Sequence, residues 1–272
     1  SDEIAGLTGD LTNMENLFII KDFFSKTIKS PYLDSRSDHT FVDNTERSNY
    51  LFNSKINGIE ESDFILLIGS NPRYEATILN ARIRKAFLKN NTEIFSIGDQ
   101  GNLTYPYKVL NNNTEIIKEI IDNKHELSEK IKKSKKPMII LGQSVFKLES
   151  AHYIFQQLKD YLKKNNKINN DWNAFNVISN NASTVGSYDL NILNSNGKTN
   201  QILKGLENNN FKILFLFGQD NINFQKVDEF IIYIGSHGDK GAEISDVILP
   251  GAAYTEQDGY FTNLEGKLQK AY

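Results

Sequence analysis

The chain has 272 residues, 39% of them hydrophobic and 24% charged, with a net charge of -3. That length and balance suit one large or two small domains with a real core, and they give no reason to expect nucleic acid. Cysteine is absent, which excludes disulfides, thiolate catalysis, iron–sulfur ligation and Cys-based zinc sites within these residues.

The start, Ser1-Asp2-Glu3-Ile4, has neither the basic nor the apolar stretch of a signal peptide. It also lacks Met, so the sequence is expected to be a piece of a longer chain. No apolar run approaches the roughly 20 residues that span a bilayer. Glu3 to Gly9 reads as a strand running into a turn. Thr12 and Glu15 are spaced as a capping box, and Leu17, Ile20, Phe24 and Ile28 form one helical stripe. Ser35 to Asn49 is polar and reads as a long loop. Asp63 to Gly69 is apolar on both alternating faces, as expected of a parallel strand covered on both sides. Asn71 and Pro72 then suit an N-cap and a first helical residue. Leu79, Ile83, Ala86 and Phe87 give the next helix its buried stripe, leaving Arg82, Arg84, Lys85 and Lys89 outside.

Thr92 to Gly98 reads as a third strand and Glu115 to Ile121 as a helix. Lys132 to Lys136 marks an expected junction between two lobes, 1–131 and 132–272. Beyond it Pro137 to Gly142 repeats the strand-then-glycine grammar. Leu148, Ala151, Phe155, Leu158 and Leu162 are spaced as an amphipathic helix. Asp171 to Val177 enters a short strand, and Ala182 to Leu190 is an ambiguous helix. Lys212 to Gly218, Glu229 to Gly235 and Val247 to Leu249 read as further strands. The alternation predicts an α/β fold of mostly parallel sheets with flanking helices, arranged as two Rossmann-like lobes. In such sheets ligands sit at the carboxyl ends of strands, where glycine permits a tight turn and close approach.

Two loops therefore stand out. Gly69-Ser70-Asn71-Pro72-Arg73 has the makings of a phosphate cradle at a helix start, or is a capped helix with a surface arginine. Gly235 to Gly241 brings His237, Gly238 and Asp239 together, but two donors fall short of the three that a metal needs. Gly197-Lys198-Thr199 resembles the end of a P-loop, yet Ile192 stands where that motif demands glycine. The motifs G-x-G-x-x-G, H-E-x-x-H and G-x-S-x-G do not occur. His39, His125 and His152 are scattered.

Near the end, Val247-Ile248-Leu249 stops at Pro250-Gly251. A polar loop follows, then a strand-like run at Tyr260-Phe261-Thr262 and a turn at Asn263 and Glu265-Gly266. This segment resembles the closing part of the molybdopterin-oxidoreductase superfamily. Arg47 to Asn53, Ser62 to Ala76 with Asn80 to Lys85, Lys135 to Gly142 and Ser236 to Gly266 extend the likeness over nearly the whole chain. Asn80-Ala-Arg-Ile-Arg-Lys85 and His237-Gly-Asp239 make it most similar to the form in the large iron–sulfur subunit of NADH:quinone oxidoreductase, respiratory complex I.

The resemblance implies a chain whose cysteine-held 2Fe-2S and 4Fe-4S clusters lie outside these residues, and a domain that keeps the molybdopterin-enzyme fold without its cofactor. It implies no cofactor, no metal and no catalytic residue here. The expected partners are the cluster-bearing part of the same polypeptide and other subunits of the peripheral arm, on the cytoplasmic side of a bacterial inner membrane or the mitochondrial matrix side, without membrane insertion. Gly69, Ser70, Asn71, Arg73, His237, Gly238 and Asp239 are the candidates for a vestigial cleft. The first alternative is a lobe of a catalytic molybdopterin oxidoreductase binding a guanine dinucleotide cofactor. The second is a free-standing nucleotide-binding module.

Overall fold

The computed structural model describes residues 1–35, 40–41, 43–193, 199–221, 225–226 and 228–272. His39, Gly197 and Lys198 fall outside them. The chain divides into two compact units, one made of Ser1–Arg47 with Asn181–Tyr272 and the other of Ser48–Asn180. The first is thus assembled from two separated stretches, and the second is inserted between them in sequence.

In chain order, the split unit begins with β1 (Ile4–Thr8), a helix at Met14–Asp22 with a π-helical extension Phe23–Ile28, and β2 (Leu33–Asp34). The inserted unit carries β3 (Phe64–Ile68), β4 (Glu93–Ile97), β5 (Lys108–Val109), β6 (Pro137–Leu141) and β7 (Phe175–Val177). The chain then returns to the split unit with β8 (Ile213–Phe217), β9 (Phe230–Gly235), β10 (Val247–Pro250), β11 (Gly259–Thr262) and β12 (Leu268–Ala271).

Each unit has one parallel sheet. The inserted unit runs β5-β4-β3-β6-β7, with Phe64 opposite Glu93 on one side and opposite Pro137 on the other. All five residues of β3 and all five of β6 are buried, which is why they read as unbroken apolar runs. The split unit runs β10-β9-β8-β1-β2, and β11 and β12 pair antiparallel as a separate hairpin. Helices flank both sheets, giving the α/β architecture expected.

The boundary expected at Lys132 to Lys136 falls instead inside the inserted unit, because β6 pairs with β3. The lysine-rich stretch is a tied turn. The Asp63 carboxylate accepts hydrogen bonds from the Lys135 and Lys136 amides at 2.8 and 3.1 Å, and one from Ser134 Oγ. Lys167 Nζ donates to the Lys132 and Ser134 carbonyls at 2.8 and 2.6 Å. A run of charge marks a solvated segment, and a turn at the foot of a central strand is as solvated as a linker.

Other local expectations shift in detail. Asn13 rather than Thr12 caps the first helix, its Oδ1 accepting from the Asn16 amide at 2.9 Å, while Glu15 accepts from the Tyr260 amide of β11. The helix Thr77–Asn90 buries Leu79, Ile83 and Ala86 as its spacing predicts, while Phe87, expected on the same stripe, is half-buried. Two of its four basic side chains are already engaged, since Arg82 and Lys85 both bind Glu60 at 2.6 Å. The helix Ala151–Lys164 starts after Leu148, which is exposed. Ile116, Ile117 and Ile120 are buried on Glu115–Ile121, as their density requires.

Candidate functional site

In an open parallel sheet, two neighbouring strands whose chains depart in opposite directions leave a crevice at their carboxyl ends. The inserted unit has that switch point between β3 and β6, and the split unit between β1 and β8. Every candidate residue from the sequence follows one of these sheets' strands. Gly69, Ser70, Asn71 and Arg73 follow β3 in the inserted unit, and His237, Gly238 and Asp239 follow β9 in the split unit.

At the β3–β6 switch point the two loops lie against each other. Gly69 turns the chain at φ +58°, and the loop after β6 lies directly against it. A Cβ on Gly142 would collide with the Gly69 carbonyl oxygen, and Ser144 Oγ donates to that same oxygen at 2.5 Å. The polar side chains of the loop are engaged within the protein. Ser70 Oγ donates to Glu75 Oε2 at 3.0 Å, Asn71 Nδ2 to the Gln100 carbonyl at 3.0 Å, and an Arg73 guanidinium nitrogen to the Asn102 carbonyl at 2.5 Å. Asn71 holds the N-cap position, as expected, but makes no side-chain cap bond. Its Oδ1 is buried and unpartnered, yet it is an acceptor and offers a phosphate nothing.

The β1–β8 switch point is open. A crevice of about 660 Å³ lies over the ends of β1, β8, β9 and β10. Leu11, Ile19, Ile20, Phe217 and Tyr254 form apolar walls, and Asp10, Asp220, His237 and Asp239 bring polar chemistry. Asp220 is fixed in place: its Oδ2 accepts from Tyr233 OH and its Oδ1 from the Gly241 amide, both at 3.0 Å. Burial, together with that carboxylate, pushes the Tyr233 phenol well above its ordinary range, so it acts as a neutral donor. Asp10 Oδ2 accepts from Asn221 Nδ2 at 2.7 Å, and the Asp10 backbone is held by Ser183. Ser236 Oγ and His237 Nδ1 lie 2.7 Å apart at the rim.

Of the sequence candidates, His237 and Asp239 line this crevice and Gly238 does not. Asp10 and Asp220 went unnoticed in the sequence because no motif frames them. A signal existed: Gly9-Asp10 follows β1, Gly218-Gln219-Asp220 follows β8, and Gly238-Asp239 follows β9.

The model for the family described as molybdopterin oxidoreductase matches residues 1–272. The chain belongs to that family. Among its relatives, the NADH-ubiquinone oxidoreductase 75 kDa subunit of Reclinomonas americana is 37% identical over 99% of this chain and 40% of that protein. The G subunit of the Rickettsia bellii NADH-quinone oxidoreductase is 37% identical over 99% of this chain and 38% of its own length. The mitochondrial NADH-ubiquinone oxidoreductase 78 kDa subunit of Candida albicans is 35% identical over 98% of this chain and 36% of its own length. The chain therefore spans about two fifths of the length of these relatives.

The family name implies a pterin that carries phosphate and holds molybdenum, and the residues of this molybdopterin oxidoreductase domain do not fit one. At the β3–β6 switch point the Gly69 and Gly142 loops are in direct contact, and the Ser70, Asn71 and Arg73 side chains are engaged within the protein. The β1–β8 crevice presents three aspartates and, among its lining residues, neither lysine nor arginine. Carboxylates at roughly 4 Å from a phosphate oppose it by several kcal/mol where water is partly excluded. The sequence also contains no cysteine, so no thiolate of these residues could ligate the metal.

Proposed function

We propose that this chain is the molybdopterin-oxidoreductase-like part of the large iron–sulfur subunit of an NADH:quinone oxidoreductase, and that it serves there as a scaffold without a redox centre of its own. The observation that carries the reading is its alignment along 99% of its length with subunits of that enzyme. The loop contact at the β3–β6 switch point and the acid-lined β1–β8 crevice support it, because the first engages its polar side chains within the protein and the second offers a phosphate no cationic side chain. The 2Fe-2S and 4Fe-4S clusters of the full subunit belong to a part outside these residues. The domain packs against that part and against neighbouring subunits of the peripheral arm, on the cytoplasmic or matrix side of the membrane. No helix among the described residues is long and apolar enough to cross a membrane.

The reading is tested on the intact enzyme. An affinity tag on the polypeptide containing this chain is expected to co-purify NADH-oxidising activity and iron. Molybdenum by elemental analysis and pterin fluorescence after acid release are expected to stay far below one per enzyme. Stoichiometric molybdenum or pterin would support the catalytic alternative instead, and failure to co-purify NADH-oxidising activity would remove the assignment to that enzyme.

A further inference from the structure

Strand β10 is an anomaly in its sheet. Val247, Ile248 and Leu249 are the kind of unbroken apolar run found in parallel strands buried on both faces. Here they are 37%, 55% and 47% exposed. The strand pairs with β9 on one side only and ends the sheet order. Its outer ladder groups have no strand partner among the described residues. A flat, apolar, uncovered edge is a pairing template, and folded proteins cover or charge such edges. No charged side chain interrupts Val247 to Leu249, and Pro250 stands only at the far end.

We infer that β10 is completed by one more extended segment, supplied by the same polypeptide from outside residues 1–272. The inference rests on the proposed subunit, because the relatives that suggest it carry more than half of their length beyond the matched region. The size of the edge decides the occupant. A four-residue strand spans roughly 13 Å. It cannot on its own build the roughly 1,200 Å² at which stable interfaces between free partners begin, which disfavours a second copy held by this edge alone. A tethered segment faces an effective concentration of order millimolar, and a short ladder with a few apolar contacts then suffices. The segment is expected to be extended, with apolar side chains alternating to match the faces of Val247, Ile248 and Leu249, and to add to the sheet by backbone pairing.

Amide hydrogen exchange in the isolated full-length subunit tests this at residue resolution. One side of β10 faces β9, so an uncovered edge must leave at least one amide among Val247, Ile248 and Leu249 exchanging as fast as the loop residue Ala252. The expected result is that all three exchange at least ~100-fold more slowly than Ala252. Any one of the three exchanging at the loop rate, with protection arriving only when other subunits are added, would overturn the inference in favour of a partner. Protection that tracks a concentration-dependent dimer would overturn it in favour of a second copy. Exchange in the isolated subunit reads this edge alone, whereas co-purification with NADH-oxidising activity reads the parent assignment, so the two fail separately.

Discussion

Replacing Gly142 with alanine tests whether the β3–β6 switch point is closed by hard contact. Gly142 sits at φ -97° and ψ 173°, a conformation alanine adopts freely, so the substitution carries no intrinsic backbone penalty. Its Cβ would meet the Gly69 carbonyl oxygen, Ser70 Cβ at 2.5 Å and Ser70 Cα at 2.6 Å. Two of those three are backbone atoms and cannot rotate away. Relief requires the loop after β6 to move off the loop after β3, which strains the bond from the Gly142 amide to the Ile68 carbonyl at 3.0 Å. Overpacking against rigid neighbours costs about 1–3 kcal/mol, and one weakened hydrogen bond adds about 1 kcal/mol. A loss of about 3 kcal/mol is expected. The control is Gly101→Ala, where φ is +66° but no atom lies within 4 Å of the new Cβ. There the cost is conformational only, about 1 kcal/mol. Urea unfolding of both variants beside the parent chain measures the difference, and the thermal midpoint should fall by about 2–4 °C per kcal/mol. If Gly142→Ala proves no less stable than Gly101→Ala, the two loops yield cheaply and hard contact does not close the crevice.

Three further outcomes are expected. Tyr105→Phe should cost about 1–2 kcal/mol, since the buried Tyr105 hydroxyl donates to Asn80 Oδ1 at 2.9 Å and its loss strands that acceptor; urea midpoints read the cost. Burial would raise the Asp63 carboxyl, but the hydrogen bonds from Ser134 and the Lys135 and Lys136 amides outweigh it and hold it below its ordinary value. A depressed folded-state value stabilises above roughly pH 4 and is lost as pH falls below it. The stability gap between the parent chain and Asp63→Asn should therefore be larger at pH 6 than at pH 3, and an equal gap would contradict the turn's dependence on that charge. Millimolar ADP should leave the melting temperature unchanged, because its phosphates meet aspartates in the open crevice; a saturable rise of several degrees would show that the crevice accepts anions after all.

What the sequence disclosed depended on whether a feature was local. The apolar runs at Phe64–Ile68 and Pro137–Leu141 announced buried parallel strands, because burial on both faces leaves a run of one residue class. Their pairing was not legible. Nothing near Lys132 to Lys136 says that β6 returns beside β3, since register between distant strands is set by the whole sheet. The short strands β2 and β5 have two residues each and too little pattern to declare themselves. For the site, His237 and Asp239 were visible because a glycine-rich loop framed them. Asp10 and Asp220 stand about two hundred residues apart and meet one crevice only because β1 and β8 pair. The contact of Gly142 and Ser144 with the Gly69 loop is a steric fact that no motif encodes.

The split unit has a consequence for how the chain is made. β1 takes its place between β2 and β8, and its partner Ile213 emerges roughly two hundred residues after Ile4. At about 5–20 residues per second, the ribosome leaves that strand waiting for roughly 10–40 s. The inserted unit, continuous from Ser48 to Asn180, can finish folding in the interval. During the wait Ala5 and Leu7, fully buried at the end, are open to solvent beside the apolar helix that follows them. Protection of the nascent chain by a holding chaperone is thus called for at Ile4–Thr8 rather than at the insert, and arrest of translation just before Lys212 should trap a species in which the insert is finished and β1 has β2 but not β8 beside it.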